Sequence, residues 1–181
     1  MKHSIKIAAV LILQCLSLPG QNKSLQKTKI EIYFLKNEPT QSGNDYFLPT
    51  AKDLADTAFI HDNEIIGYGI YPDSFHLTRQ PIYVVFLNIS GKQKLATIKN
   101  ISLCCGKRFA MVLNDQPVYG AYLWNDISSF GCSWLTAFSF AGNISISKGL
   151  PEDYFDKTRD DPRNNKNLLN AFKISGRLIE H

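Results

Sequence analysis

The stretch that decides the fold is residues 106–131, GKRFAMVLNDQPVYGAYLWNDISSFG. Two apolar arms flank a polar tip, Asn-Asp-Gln at 114–116. Asn and Asp tolerate the left-handed backbone conformation of tight hairpin turns, and Pro117 stands where a strand can begin. The stretch therefore predicts a β-hairpin, in which Gly120 marks a bulge or a close backbone contact.

The residues before the hairpin predict a strand and a helix. The run PIYVVFL at 81–87 is continuously apolar, which predicts a strand buried on both faces. In 90–101, Leu95, Ile98 and Ile101 recur at helical spacing among lysines, which predicts an amphipathic helix. A strand–helix–hairpin unit then forms the centre of the chain.

The flanking segments add further elements. Residues 30–35 and 134–140 are rich in β-branched and aromatic side chains, which predicts two more strands. Residues 62–66 predict a short helix that the following glycines end, and a C-terminal helix begins near residue 162. The tally predicts the α+β class, with a mixed or antiparallel sheet and the helices on one face.

We expect the chain to divide into three parts. Residues 1–20 form a signal peptide, residues 21–147 form one α+β domain, and residues 148–181 form a charged tail with a C-terminal helix. The signal consists of a basic head, a short apolar core at 7–18 and a Pro-Gly break before a polar stretch. The mature protein is then exported, to the periplasm, the outer envelope or the medium.

Cys15 supports an alternative in which the exported chain is a structural lipoprotein with a lipid anchor on that thiol. Cleavage after Gly20 gives a mature chain that starts at Gln21, whereas the lipoprotein starts at Cys15. Mass spectrometry of the mature N-terminus distinguishes the two.

The composition excludes some classes of partner. The chain has 181 residues, 44% hydrophobic and 20% charged, with a formal net charge of +4. No dense Lys/Arg block is present to grip phosphates, so we do not expect nucleic acid as a partner. Beyond the signal peptide, no apolar stretch is long enough for a transmembrane helix, so we expect none in the mature chain.

Three cysteines remain after export: Cys104, Cys105 and Cys132. An oxidising compartment permits a disulfide, and adjacent cysteines rarely bridge each other. We therefore expect Cys132 to pair with Cys104 or with Cys105, the alternative being three buried thiols.

Catalytic signals are weak. His61 and His76 lie among acidic residues, and a metal site of His61, Asp62 and His76 is conceivable, but zinc ligands usually come in tighter pairs. The sequence has no nucleophile elbow, phosphate loop or dinucleotide fingerprint. We predict no catalytic residue, no metal and no cofactor. The alternative is a small hydrolase or metal-dependent enzyme that uses His61 and His76.

The aromatic residues of the second hairpin arm allow two interpretations. Tyr119, Tyr122 and Trp124, followed by Ser128 and Ser129, are either core residues or a contact surface for a partner. As a surface, they predict a non-catalytic exported module that binds protein or peptide, for example along an exposed strand edge.

Residues 81–131 resemble the head of the first periplasmic domain of the SecD/SecDF protein-export accessory proteins. The matching pattern is an apolar strand, Gly91 at the helix start, Gly106-Lys107 before the strand FAMVL, a turn at 114–115 and a returning strand. The resemblance implies an α+β head in the cell envelope. The motor role of SecD does not transfer, because this chain lacks the transmembrane helices that use a proton gradient.

The hairpin is also similar to one found in small exported proteins, chiefly of Bacteroidetes. The matching residues are Tyr119, Gly120, Trp124, Ser128 and Ser129. That resemblance assigns no role to any of these residues.

Overall fold

The computed structural model describes residues 28–37, 46–72, 80–99, 101–103, 105–124, 131–150 and 160–180. Across these residues the chain forms eight strands and two α-helices. In chain order they are β1 (Ile30–Phe34), β2 (Ile65–Tyr71), β3 (Ile82–Leu87), α1 (Ile89–Ala96), β4 (Lys107–Leu113), β5 (Gln116–Leu123), β6 (Cys132–Phe140), β7 (Asn143–Leu150), α2 (Lys166–Ile174) and β8 (Leu178–Glu180).

All eight strands belong to one sheet, in the order β1-β4-β5-β6-β7-β3-β2-β8. Neighbouring strands are antiparallel except for β5–β6 and β2–β8, which are parallel. This mixed sheet with two helices confirms the α+β class, and the sheet is the larger part of the fold.

The hairpin of the opening stretch is β4 and β5. Asn114 and Asp115 have φ values of 49° and 63°, the left-handed conformation that a two-residue hairpin turn needs. The strand register skips Val118, which is therefore the bulged residue. Gly120 marks a close contact instead: a Cβ there would lie 2.2 Å from Cε2 of Phe47.

The helix α1 is shorter than the spacing of its apolar residues predicts. It begins after Asn88, whose side-chain oxygen accepts a 3.0 Å hydrogen bond from the Gly91 amide. It ends at Ala96, and the Thr97 hydroxyl then bonds the Lys94 carbonyl oxygen. Ile98 still packs against the core, although it lies beyond the helix. The apolar spacing therefore reflects core contact and not helix length.

Strand β2 replaces the predicted helix over 62–66. Only the 3-10 turn Asp62–Glu64 is helical, and the chain then extends through two glycines. A Cβ at Gly69 would lie 2.5 Å from Cε2 of Tyr71 and 2.9 Å from Cε2 of Phe86. These glycines therefore leave space for aromatic rings against the strand. They do not end a helix.

Alternation along β3 defines the two faces of the sheet. The odd-numbered residues from Tyr83 to Leu87 are buried on what we call the inner face. The even-numbered residues from Ile82 to Phe86 are half-buried on the outer face. The prediction that this strand is buried on both faces is therefore wrong, because its outer face is only partly covered.

The inner face carries the main core, and both helices pack on it. Leu95 of α1 and Phe172 of α2 belong to the same buried cluster as the inner residues of the strands. The Phe172 ring stacks on Tyr68 of β2 with a centroid distance of 4.6 Å and an interplanar angle of 4°. Ring stacking of this kind adds to the hydrophobic gain from burial.

The sheet is curved enough for a single side chain to reach both of its ends. In a flat sheet of eight strands the first and last would be roughly 34 Å apart, at ~4.8 Å per strand. Here the Asp62 carboxylate accepts hydrogen bonds from the Ile30 amide of β1 at 2.9 Å and from Arg177, just before β8, at 2.8 Å. One carboxylate therefore bridges both ends of the sheet.

The C-terminal residues are part of the domain, which corrects the predicted tail over 148–181. β7 continues to Leu150, α2 buries Leu168 and Phe172, and β8 pairs with β2. The charged residues of this segment indicate a tail exposed to solvent, but one of these charges is buried in the structure.

That buried charge is Arg163, whose side chain is 0% exposed. Its guanidinium forms a two-pronged pair with the Asp161 carboxylate, at 2.9 and 2.7 Å. It also donates to the carbonyl oxygens of Pro81 and Ile146, at 3.1 and 2.9 Å, and lies 4.3 Å over the Tyr83 ring. Arg163 therefore joins the C-terminal segment to β3 and β7.

We predict that Arg163→Ala lowers the free energy of unfolding by about 3–5 kcal/mol, because it leaves the Asp161 carboxylate without its main partner. Lys166→Ala removes the same charge from an exposed site and is expected to change it by less than about 0.5 kcal/mol. Urea unfolding followed by circular dichroism measures both. Equal stabilities for the two variants would contradict this role of Arg163.

Stability should also fall in acid. Burial raises the pKa of the Asp161 carboxyl, but the hydrogen bonds and charge of Arg163 outweigh it and hold that pKa below its usual value. The pKa of Glu64, paired with Lys94, is lowered in the same way. A lowered folded-state pKa contributes stability above the unfolded value, about 4, that is lost as the pH falls through the folded value.

We therefore expect the urea midpoint to hold between about pH 6 and 5 and to fall steadily below about pH 4. In Asp161→Asn the fall should be smaller, because one of the linked carboxyls is gone. A midpoint that stays level down to pH 3 would contradict this linkage.

Candidate functional site

An apolar cleft of about 370 Å³ lies on the outer face of the sheet, across β2, β3 and β7. Its floor is the half-buried side of β3. The residues that line it are Tyr71, Pro72, Ile82, Val84, Phe86, Phe140, Ala141, Asn143 and Ser145. Cavities of about 300–1,000 Å³ with mostly apolar walls and a few polar groups are typical of ligand sites.

One wall of the cleft is fixed by the glycines of β2. Because Gly69 has no side chain, the Tyr71 ring folds back over the strand and meets the Phe86 ring edge to face, with centroids 6.1 Å apart. Gly67 likewise leaves room for Phe86 and for Ile179 of β8. The wall is therefore set by backbone positions that admit only glycine without a shift of these side chains.

The opposite wall is the end of the β6–β7 hairpin. Its turn residues, Ala141 and Gly142, have φ values of 49° and 74°, as a tight hairpin turn requires. The Asn143 side-chain oxygen accepts a 3.0 Å hydrogen bond from the Leu87 amide and so fixes this end of the hairpin to β3. Phe140 remains 73% exposed at the mouth of the cleft.

The aromatic surface predicted from the second hairpin arm is not at this site. Tyr119, Tyr122 and Trp124 are at most 2% exposed, so they belong to the core, the other reading of the sequence. Tyr119 points to the inner core and bonds the hydroxyl of Tyr68 at 3.3 Å. The prediction of a contact surface is therefore wrong for these three residues. Ser128 and Ser129 lie outside the described residues.

Tyr122 is buried because residues 46–50, which precede the 3-10 turn at 51–53, cross the outer face of β4 and β5. The Phe47 ring meets the Tyr122 ring edge to face at 5.1 Å and also covers Gly120. Nearby, the Trp134 indole donates a 2.8 Å hydrogen bond to the Gly120 carbonyl, where β5 and β6 are not yet paired. Phe47 thus supplies a cover for Tyr122 that the sequence does not reveal.

His61 belongs to a cluster of charges on the outer side of β1. Its Nδ1 lies 3.2 Å from the Glu31 carboxylate, which also accepts from Lys29 and from the Tyr33 hydroxyl, both at 2.9 Å. Burial raises the pKa of Glu31, and these hydrogen bonds outweigh it, so the pKa is lowered. Glu31 is thus satisfied by three partners.

The enzyme alternative stays a prediction. His76 lies outside the described residues, so its distance from His61 is not defined. Among the residues that the structure describes, no three His, Cys, Asp or Glu side chains converge as a metal site would require.

Two disulfides are predicted for Cys132, and the one with Cys105 is wrong. The two sulfurs are not bonded, and both residues are buried. Cys105 comes just before Lys107, which pairs with Leu123. Leu123 also pairs with Ala137, five residues after Cys132, so Lys107 and Cys132 are offset by roughly 16 Å along the strands. The two residues from Lys107 to Cys105 can span at most roughly 7 Å of that distance. A disulfide needs Cα atoms within about 7 Å.

Several predictions fall on residues that the structure does not describe. They concern Cys104 as the other partner of Cys132, the signal peptide over 1–20 and the lipid anchor at Cys15. For the described part of the chain, neither helix has the length and apolar character needed to cross a bilayer.

Sequence reasoning missed the cleft, although two signals were present. The sequence predicts two buried faces for PIYVVFL and a helix end at the Gly-x-Gly of β2. Two glycines spaced by two on one strand face, beside an aromatic strand, indicate a place where rings lie on the backbone.

Comparisons with protein-family models, with curated proteins and with solved structures gave no match for this chain.

Proposed function

We propose that the protein is an exported, non-catalytic module that binds a protein or peptide in the cell envelope through the cleft on β2, β3 and β7. The observation that carries the proposal is the combination of an apolar cleft of about 370 Å³ with a Phe140 side chain that is 73% exposed at its mouth. A large apolar side chain at the rim of an apolar cleft gains free energy when a partner covers it.

The shape of the cleft favours an extended peptide. Its floor follows β3, where Ile82, Val84 and Phe86 alternate over about 13 Å at ~3.3 Å per residue. An extended peptide laid along this strand carries its own side chains at the same two-residue repeat. The Ser145 hydroxyl in the lining supplies a polar group that can bond a peptide carbonyl or amide.

The walls of the cleft are set before any partner arrives. Tyr71 is held over Gly69, and Asn143 fixes the β6–β7 hairpin to β3. A site that already has its bound shape loses less conformational entropy when a partner binds, so a modest apolar contact suffices for binding.

Export to the envelope is the second part of the proposal. It is supported by the basic head and apolar core of residues 1–20 and by the resemblance of 81–131 to the SecD head. The partner is then a protein or peptide of the envelope, with apolar side chains in an extended segment.

We predict that phage-displayed peptides selected on residues 21–181 are enriched in apolar residues at alternate positions. Phe140→Ser should weaken the selected peptides at least tenfold, because it removes one wall of the cleft. Fluorescence anisotropy with labelled peptides measures the Kd.

Ile174→Ser is the matched control, since Ile174 is also a large exposed side chain, 67% accessible, but lies on α2 away from the cleft. It should leave the Kd within about twofold of the unmodified protein. The proposal is wrong if no peptide is enriched, or if Phe140→Ser and Ile174→Ser bind the selected peptides equally well.

A further inference from the structure

A second cavity, of about 180 Å³, lies on the outer side of the sheet at the other end of the molecule's strand order, beside β1 and β4. It is lined by Leu35, Asn37, Phe47, Leu48, Pro49, Asp53 and Arg108. At ~30 Å³ per water molecule, the space equals about six waters, which suits a small ligand better than a peptide.

Arg108 in this cavity has a buried donor that the protein does not use. Its Nε–H has no hydrogen-bond partner within the described structure, whereas its Nη2 donates to the Asn37 carbonyl. The guanidinium carbon lies 5.5 Å from the centroid of the Phe47 ring, within the range of a cation–π contact. An unpaired buried donor is costly, so this guanidinium retains unsatisfied hydrogen-bonding capacity beside the cavity.

Asp53 supplies the opposite charge in the same cavity. Its Oδ2 accepts from the Thr50 amide and hydroxyl, both at 2.7 Å, and these bonds lower its pKa. Asp53 is therefore ionised at neutral pH, and its Oδ1 is left to accept from a ligand. The carboxylate is fixed by its own 3-10 turn and so does not close onto Arg108.

A cation and an anion in one small cavity, beside apolar side chains, match a zwitterion with an apolar group. A carboxylate is the preferred acceptor for an arginine N–H, and an ammonium is the matching donor for a carboxylate. A lone anion would be repelled by Asp53, and a lone cation by Arg108.

We infer that this cavity binds a free α-amino acid with an apolar side chain. The α-carboxylate pairs with the Arg108 guanidinium, the α-ammonium donates to Asp53, and the side chain packs on Phe47. The terminus of a peptide carries only one of the two charges and fits less well. This site is independent of the proposed peptide cleft.

The test uses isothermal titration calorimetry of residues 21–181 with L-leucine as the probe. We expect saturable binding with a Kd below about 1 mM. N-acetyl-L-leucine lacks the ammonium and L-leucinamide lacks the carboxylate, so both should bind at least tenfold more weakly.

Three variants separate the site from a general charge effect. Arg108→Met and Asp53→Asn should each weaken leucine at least tenfold. Lys107→Met removes the same charge from the neighbouring residue of β4, whose ammonium lies over the Phe34 ring, and should leave the Kd within twofold. Phe140→Ser should also leave it unchanged, because the peptide cleft is elsewhere.

Urea unfolding of each variant shows that it is folded before titration. The inference is overturned if the unmodified protein gives no saturable heat with leucine, which would mean that water alone occupies the cavity. It is also overturned if the two blocked analogues bind as well as leucine, or if Arg108→Met binds it as well as Lys107→Met.

Discussion

The fold depends on the buried pair between Arg163 and Asp161. Removing an arginine side chain from water costs desolvation free energy. Here that cost is offset by the Asp161 carboxylate and by two backbone carbonyls. Those carbonyls belong to Pro81 and Ile146, next to the positions where the β3–β7 register ends. The pair therefore links β3 to β7 and positions α2 over the inner core. Together with the buried side chains of Leu168 and Phe172, it holds the C-terminal segment against the sheet.

This arrangement divides the sheet into a covered inner face and a partly covered outer face, on which both proposed binding sites lie. The inner face is covered by both helices and holds the main core, with Tyr68 stacked on Phe172. The outer face is only partly covered, by the segment that carries Phe47 at one end of the strand order. Both candidate sites, the apolar cleft and the Arg108 cavity, lie on this outer face. Substitutions there can change binding while the core that sets stability stays intact.

The sequence predicted the elements whose signals are local. The turn at 114–115 needs left-handed residues, and the strands at 30–35 and 134–140 carry the right side chains, so these parts agree with the structure. It did not predict features that depend on distant partners. Tyr122 is buried by Phe47 from a polar segment, the glycines of β2 serve rings on β3, and the charged C-terminal segment buries Arg163. For the glycines and the C-terminal segment the local pattern pointed to a helix end and a charged tail, and tertiary packing decided otherwise.

Native-state hydrogen exchange of residues 21–181 tests the central claim most directly. If the Arg163 pair makes the C-terminal segment part of one cooperative unit, the slowest amides of α2 and β3 should open with the same free energy as those of β4 and β5, equal to that of global unfolding. Exchange of α2 at a much lower free energy, while β4 and β5 remain fully protected, would contradict the account.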